Sequence, residues 1–243
     1  MAEATLHAEL AKELPDLPRW VEARGLLLSR RCEVLKPPEN QRSAGCFLIE
    51  EDRSLACAIK RPVASLVQSF LQRSGSSSGS YQVLAPVQTA GHLRTLLPGW
   101  SESPVTVFVH PAPEGLAPPA HPTRLLTETD RQLLVDVEEP ARSELQRALS
   151  FAPICAAFDN GRPVAFCVAL YETECWWDVE LHTLEGYRRS GYATAAIAGL
   201  TQHMLQQGKR PAWGALEASR APCGMAVKYG FRAVDRMVVF NRV

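Results

Sequence analysis

Residues 188–194 read Arg188-Arg189-Ser190-Gly191-Tyr192-Ala193-Thr194 and decide how the second half of the chain folds. They lie between a strand-like run at 176–183 and a helix-like run at 192–207. A glycine turn that opens a helix leaves backbone N–H groups without partners, and the helix dipole adds partial positive charge at the same point. Such a junction suits a phosphate or pyrophosphate group, and Gly191 lets the backbone approach it closely.

The composition of the whole chain is that of an ordinary globular protein. Of its 243 residues, 46% are hydrophobic and 21% are charged, which gives room for one large domain or two small ones. Lys plus Arg and Asp plus Glu both number 26, so the formal net charge is zero. Because non-specific nucleic-acid binding depends on neutralising phosphates, this balance argues against a nucleic-acid partner.

The cysteine pattern favours a reducing compartment and no metal site. The seven cysteines are odd in number, and none of their spacings with each other or with histidine is typical of a metal centre. The N-terminus lacks the basic and apolar pattern of a signal peptide, and no apolar run approaches the ~20 residues that span a bilayer. We therefore expect a soluble cytoplasmic protein without a membrane partner.

A proline-rich segment at 111–122 indicates a boundary between two halves. Its five prolines cannot sustain a helix or a central strand. Residues 1–122 are predicted to form an N-terminal α/β domain of alternating helices and strands, and residues 123–243 a second domain. In that domain the turn at 159–162 joins two apolar strands, and Thr129 with Gln132 has the spacing of a helix capping box.

The helix that follows Gly191 is the most regular of these elements. Its apolar positions Ala193, Ile197, Leu200 and Met204 recur at steps of four, three and four, which places them on one face. The helix is predicted to end at Gly208, where Lys209 and Arg210 complement its negative end.

This order of elements resembles the GNAT superfamily of N-acetyltransferases over residues 123–243. The family's Gln/Arg-x-x-Gly-x-Gly/Ala signature is filled by Arg188, Gly191 and Ala193, and 228–231 is similar to the family's closing Lys-Leu-Gly-Phe. The resemblance implies an α/β (α+β) fold with a mixed central sheet flanked by helices and an N-terminal α/β half packed against it. That half loosely resembles the degenerate GNAT halves of double-domain acyltransferases, such as the glycine N-acyltransferase group.

The same resemblance implies a donor, acetyl-CoA or another acyl-CoA, and no metal. Backbone N–H groups of 189–194 would hold its pyrophosphate, and the backbone of 181–183 would pair with its pantetheine arm like an added strand. The residues expected to bind the cofactor are Leu181, His182, Thr183, Arg188, Arg189, Ser190, Gly191, Tyr192, Ala193, Thr194 and Ser219.

Acyl transfer to an amine needs a proton acceptor, and the strand at 176–183 offers three. Asp178, Glu180 and His182 alternate onto one face of a regular strand, although a local bulge would exchange the faces. In the family a carboxylate on this strand often acts, so Glu180 is favoured, with Asp178 and His182 as alternatives.

The position of a proton donor departs from the family pattern. The family's usual tyrosine corresponds to Ala226, Ser219 replaces a common asparagine, and Tyr229 is the remaining hydroxyl candidate.

Taken as a whole, the resemblance implies acetyl transfer to a small-molecule or peptide primary amine by direct attack in a ternary complex. The alternatives are a weakly active or inactive CoA-binding module, and an amino-acid N-acyltransferase that uses a longer acyl-CoA. The sequence leaves a homodimer open.

Overall fold

The computed structural model describes residues 2–37, 45–50, 55–74 and 82–242, and the chain forms two compact units. The first unit runs to Phe108 and also contains Gly214–Met225 and the segment from Ala233 onward. The second unit contains Val109–Trp213 and Ala226–Arg232. The last strand of the chain therefore belongs to the first unit.

The first unit contains helices and strands in alternation, as the sequence pattern predicts. Its elements in chain order are α1 (Ala2–Glu13), α2 (Val21–Ser29), β1 (Cys32–Leu35), β2 (Cys46–Glu50), β3 (Leu55–Ile59), α3 (Ala64–Ser74), β4 (Gln82–Pro86), α4 (Val87–Leu96) and β5 (Trp100–Val109). Its mixed sheet has the order β1-β2-β3-β4-β12-β5, where β12 (Arg232–Arg242) is the C-terminal strand.

Strand β12 completes the core of the first unit. It lies antiparallel to β4, with Val238 opposite Ala85 and Phe240 opposite Val83. Phe240 is 1% exposed and belongs to a cluster that contains Phe47 and Phe70, whose rings stack at 4.8 Å. Burying one such side chain contributes about 1.5–3 kcal/mol, so this strand adds substantially to the stability of the first unit.

The second unit is built on an antiparallel sheet in the order β10-β8-β7-β6. Its elements are β6 (Thr123–Leu125), a 3₁₀ helix (Glu128–Leu134), α5 (Ala141–Ala148), β7 (Ile154–Asp159), β8 (Arg162–Val168), β9 (Trp176–Asp178), β10 (Glu180–Thr183), α6 (Tyr192–Gln206) and β11 (Arg210–Leu216), followed by α7 (Arg220–Lys228). Strand β11 and helix α7 are each divided between the units. The predicted hairpin is confirmed, since Asp159 pairs with Arg162 at its end.

Helix α6 packs closely on the sheet of the second unit. Of the predicted apolar face, Ile197, Leu200 and Met204 are at most 2% exposed, whereas Ala193 at its start is half-buried. A Cβ atom at Gly199 would lie 2.7 Å from Cys155 Sγ, so a glycine is required where the helix crosses β6 and β7.

The predicted capping box is wrong in its residues. Thr127 and Asp130 form it, because the Asp130 carboxylate accepts a hydrogen bond from the Thr127 backbone N–H at 2.9 Å. Arg124 also donates to Asp130 at 2.8 Å and holds the pKa of that carboxyl well below its usual range. The helix that follows is a 3₁₀ helix, which starts earlier than Thr129 would allow.

The run at 176–183 is two strands rather than one. Strand β9 pairs in parallel with residues 210–212 of β11. Just after β9, the Val179 N–H still donates a backbone hydrogen bond to the Ala212 carbonyl of β11 at 2.9 Å. Strand β10 then pairs antiparallel with β8. The chain therefore changes its strand partner at Val179.

None of the helices in the described ranges has the length and apolar character needed to cross a membrane.

Candidate active site

The turn before α6 adopts the conformation that the sequence predicts for an anion cradle. Gly191 has φ +87° and Arg189 has φ +63°, and both residues are exposed. The Ala195 N–H donates to the Gly191 carbonyl at 3.0 Å, so intrahelical bonding begins there. The N–H groups of 192–194 precede that bond and are the ones a helix N-terminus leaves for other partners. The helix dipole adds positive potential at this place.

Two aromatic side chains hold this turn in place. The His121 Nε2–H donates to the Ser190 carbonyl at 2.9 Å, and the imidazole stacks on the Tyr192 ring at 3.9 Å between centroids. The Tyr192 hydroxyl in turn donates to Asp159 Oδ1 at 2.9 Å, and this hydrogen bond raises the pKa of the hydroxyl. His121 was not a predicted site residue, and its position in the proline-rich segment gives no local signal.

Gly191 is a position that favours glycine for two reasons. A Cβ atom there would lie 3.3 Å from His121 Nε2, and the φ of +87° is one that residues with a side chain rarely adopt. The predicted residues 188–194 form one continuous segment, which consists of the turn and the first residues of α6. Ser219 belongs to the first unit, where its N–H donates to the Leu216 carbonyl at 2.9 Å.

The partner change at Val179 exposes one edge of β10. Residues 180–183 pair with β8 on one side, and β10 is the edge strand of the described four-stranded sheet. An edge strand presents N–H and C=O groups that can bind an extended ligand. Leu181, His182 and Thr183 therefore have the backbone arrangement that the pantetheine prediction needs, and all three are half-buried.

Glu180 and His182 lie side by side, and a third group joins them from helix α5. His182 Nε2 lies 3.4 Å from Glu180 Oε1 and 3.7 Å from Glu144 Oε2. The three side chains are partly exposed, at 20% for His182, 24% for Glu180 and 37% for Glu144. Among the described residues, these are the side chains spaced closely enough to hold a metal ion, within 4.8 Å of one another. Sequence reasoning missed Glu144, because no local pattern links α5 to β10.

Asp178 occupies a different environment from the other two candidates on this segment. It is 8% exposed, and its Oδ1 accepts a hydrogen bond from the Tyr171 N–H at 2.7 Å. Its own N–H donates to the Tyr171 carbonyl at 3.0 Å. These bonds fix the connection between β8 and β9.

The predicted proton donor lies at the end of α7. The Tyr229 ring stacks on Trp213 at 6.4 Å, with 18° between the ring planes. Ala226, at the position of the family's usual tyrosine, is fully buried and offers no hydroxyl. His110 packs edge-on to Phe231 nearby, and burial lowers its pKa.

The acetyltransferase (GNAT) family model matches residues 123–231. This part of the chain is therefore a GNAT acetyltransferase domain, and its fold is the GNAT fold. The family in general comprises acyl-CoA-dependent N-acyltransferases that act on amines, and its members generally bind acetyl-CoA or CoA. No curated protein sequence matches the chain.

Three solved structures show the same fold across both units. A GCN5-related N-acetyltransferase-like protein from Streptococcus suis has a TM-score of 0.70 at 15% identity, over 98% of each chain. A GNAT-family protein from Novosphingobium aromaticivorans has a TM-score of 0.65 at 18% identity, over 93% of this chain and 98% of that one. A tandem GNAT protein from the clavulanic acid biosynthesis pathway has a TM-score of 0.60 at 12% identity, over 91% and 86%. At these identities the likeness concerns the fold alone.

The first unit repeats the element order of the GNAT domain but not its cradle. Both contain helices followed by strands, three in the first unit (β1–β3) and four in the second (β7–β10), and then a helix, a strand and a helix. The turn before α3 spans only 60–63, and Pro62 has no N–H to offer an anion. The Lys60 carbonyl accepts from Thr89 Oγ1 and the Pro62 carbonyl from His92 Nε2, both at 2.7 Å. Helix side chains thus tie down this shorter turn.

Proposed function

We propose that this protein is an acyl-CoA-dependent N-acyltransferase that moves an acetyl group from acetyl-CoA to a primary amine. The single observation that carries the proposal is the left-handed turn at Gly191, which opens α6 within a GNAT domain. Direct attack in a ternary complex is proposed, because the sheet cysteines Cys155 and Cys167 are buried and burial raises the pKa of both thiols, which makes them poor nucleophiles. Seven free cysteines favour a reducing compartment, so we propose a cytoplasmic location.

In this proposal the chain holds the donor by its backbone. The N–H groups of 189–194 bind the diphosphate, and the free edge of β10 at 181–183 binds the pantetheine amides. The donor supplies the thioester, whose C–S bond breaks as the amine nitrogen bonds to the carbonyl carbon, giving an amide, the thiol of CoA and a proton. Holding both reactants in line accounts for a large part of the rate.

Glu180 is the proposed proton acceptor, with His182 beside it. A primary ammonium has a pKa of about 10 in water, so the amine substrate must lose a proton before its nitrogen can attack the thioester. Glu180 and His182 are both partly exposed and adjacent, whereas the Asp178 carboxylate is engaged with Tyr171. The backbone N–H near His182 is the proposed donor to the thioester oxygen. The thiolate is proposed to take its proton from water.

A CoA-binding module of low activity is the second candidate. The observation that favours it is the loss of a hydroxyl at Ala226, together with the packing of Tyr229 on Trp213. Both functions require the same cradle at Gly191. They differ in whether a thiol is released when an amine is supplied.

The test combines binding and turnover. Acetyl-CoA at ~100 times its Kd should stabilise the wild-type protein by about 2.7 kcal/mol, measured by thermal shift. Gly191→Glu should abolish this shift, since it fills the turn and repels the diphosphate, while Gly91→Glu in the exposed face of α4 should keep it. An equal shift in both variants would contradict the proposed cradle. Binding without thiol release across a panel of amines would favour the CoA-binding module.

A further inference from the structure

The first unit contains a cavity of about 280 Å³ beside helix α1. One face of that helix lines it, through Leu6, Glu9, Leu10 and Glu13. The other walls are residues 36–37 after β1, residues 45–46 where β2 begins and residues 59–60 where β3 ends, and all of them belong to the first unit. The volume is just below the roughly 300–1,000 Å³ of pockets for drug-sized ligands, so the cavity suits a smaller molecule.

Part of the wall of this cavity is apolar. Leu6 and Leu10 are half-buried, so they keep apolar surface that a ligand could cover. Ile59 and Cys46 are 4% and 6% exposed. Burial raises the pKa of the Cys46 thiol to about 11, so the thiol stays neutral and behaves as a small hydrophobic group. This wall favours a ligand with an aliphatic or aromatic group.

The cavity also carries charges of both signs. Glu13 and Lys60 compensate each other, with 2.7 Å between Oε2 and Nζ. Glu9 and Lys36 line the same cavity and are exposed, and within the described ranges neither forms an ion pair or a side-chain hydrogen bond. One carboxylate and one ammonium are therefore left for a ligand.

An α-amino acid with an apolar side chain complements these three features. Its ammonium matches Glu9, its carboxylate matches Lys36, and its side chain matches the apolar wall. Hydrogen bonds between charged groups are roughly twice as strong as those between neutral groups, so a zwitterion gains from both ends. An amine or a carboxylic acid with the same side chain satisfies only one of the two residues.

We infer that the first unit binds an α-amino acid with an apolar side chain in this cavity, through Glu9 and Lys36. The inference goes beyond the proposed function, because it assigns a ligand site to the unit whose turn at 60–63 is held by Thr89 and His92. It does not depend on acyl transfer in the GNAT domain.

The experiment is a calorimetric titration of the whole chain with leucine, methionine and phenylalanine. We expect at least one of them to bind with a Kd in the millimolar range or below. Glycine should bind roughly tenfold more weakly or worse, because it has no side chain to cover the apolar wall. For leucine, isoamylamine and isocaproate are the matched amine and acid, and each should bind roughly tenfold more weakly, because one charged contact is lost.

Two variants locate the site. Glu9→Gln and Lys36→Gln should each raise the Kd of the amino acid roughly tenfold or more, since each removes one charged partner. Lys12→Gln is the matched control, because Lys12 is exposed on the same helix and lies outside the lining of the cavity. It should leave the Kd unchanged.

Three results would overturn the inference. They are no binding of any of the three amino acids, equally strong binding of the amine or acid with the same side chain, and an unchanged Kd in Glu9→Gln or in Lys36→Gln. Because thiol release plays no part in these measurements, their outcome is independent of whether the proposed function holds.

Discussion

The imidazole of His121 donates a hydrogen bond to the carbonyl of Ser190, with 2.9 Å between Nε2 and the oxygen. The donor lies in the proline-rich segment and the acceptor in the turn that opens α6, 69 residues apart in the chain. Because the same ring stacks on Tyr192, it restrains the turn from two directions. A side chain outside the family match at 123–231 therefore shapes the proposed diphosphate cradle.

Replacing this side chain tests that relationship. His121→Ala removes one hydrogen bond and one stacking contact. We expect the Kd for acetyl-CoA to rise roughly 3- to 10-fold, because one hydrogen bond contributes about 0.5–1.5 kcal/mol. Calorimetric titration measures it. His203→Ala on α6, where the half-buried ring forms a hydrogen bond with the Gln207 side chain at 2.9 Å, is the control and should leave the Kd unchanged. An unaltered Kd in His121→Ala would show that the turn keeps its shape unaided.

The C-terminal strand gives a prediction about the first unit. Phe240→Ala removes a ring that is 1% exposed in the core with Phe47 and Phe70, so we expect a loss of about 3–5 kcal/mol in the free energy of unfolding. Val234→Ala in the same strand, at 52% exposure, should cost about 0.5 kcal/mol or less. Urea unfolding measures both. Hydrogen exchange should show the loss of protection in β4, which pairs with β12.

The sequence was most informative where neighbouring residues determine the conformation. Gly191 and the helix after it follow from a local turn and a regular apolar spacing, and the structure has both. The strand at 176–183 was predicted as continuous because its composition favours strand throughout, whereas the competing partners β11 and β8 impose a break at Val179. That competition between distant strands leaves no mark on local composition.

The parts of the site that sequence reasoning missed come from distant segments. Glu144 reaches His182 from α5, and His121 reaches Ser190 from the segment before β6. Each contact depends on how elements are arranged around the sheet of the second unit, which periodicity does not specify. The capping box shows the same limit at short range, since Asp130 is recruited by Arg124 as well as by Thr127.

The candidates on the split strand should respond differently to substitution. Glu180→Gln should lower kcat by about 10²- to 10⁴-fold, the contribution of a general base, and leave the thermal shift with acetyl-CoA unchanged. Asp178→Ala should instead cost about 1–3 kcal/mol of stability, because the buried Tyr171 N–H loses its acceptor. Steady-state kinetics and urea unfolding separate the two effects. A full kcat in Glu180→Gln would transfer the proposed role to His182.

Acyl-CoA should bind once per chain. The turn at 60–63 in the first unit is shorter than that at 184–191, contains Pro62, and has two carbonyls held by Thr89 and His92. It therefore offers fewer backbone N–H groups to a diphosphate than the turn at 184–191 does. Calorimetric titration of the whole chain with acetyl-CoA should give a stoichiometry of one. Two sites, with one surviving in Gly191→Glu, would contradict this.

The last prediction concerns Glu22 on α2 of the first unit. Its Oε1 lies 3.5 Å from the position of a Cβ on Gly214, and Val105 Cγ1 lies 3.6 Å from the same point. Burial raises the pKa of Glu22 from 4.5 to about 7. Between pH 4.5 and about 7 the unfolded chain releases a proton that the folded chain retains, so stability falls as the pH rises through this window. The loss reaches up to roughly 3 kcal/mol.

Glu22→Gln stays neutral and should remove this loss. Urea unfolding from pH 4 to 8 should show the variant gaining stability relative to the wild-type protein as the pH rises, with most of the gain complete near pH 7. Glu102→Gln is an informative contrast, because the hydrogen bond from Arg94 lowers the pKa of Glu102. Its stabilising contribution is present above the ordinary carboxyl pKa and is lost as the pH falls, so removal of Glu102 should matter least at acid pH. Parallel pH profiles for Glu22→Gln and the wild-type protein would mean that Glu22 ionises as readily in the folded chain as in the unfolded one.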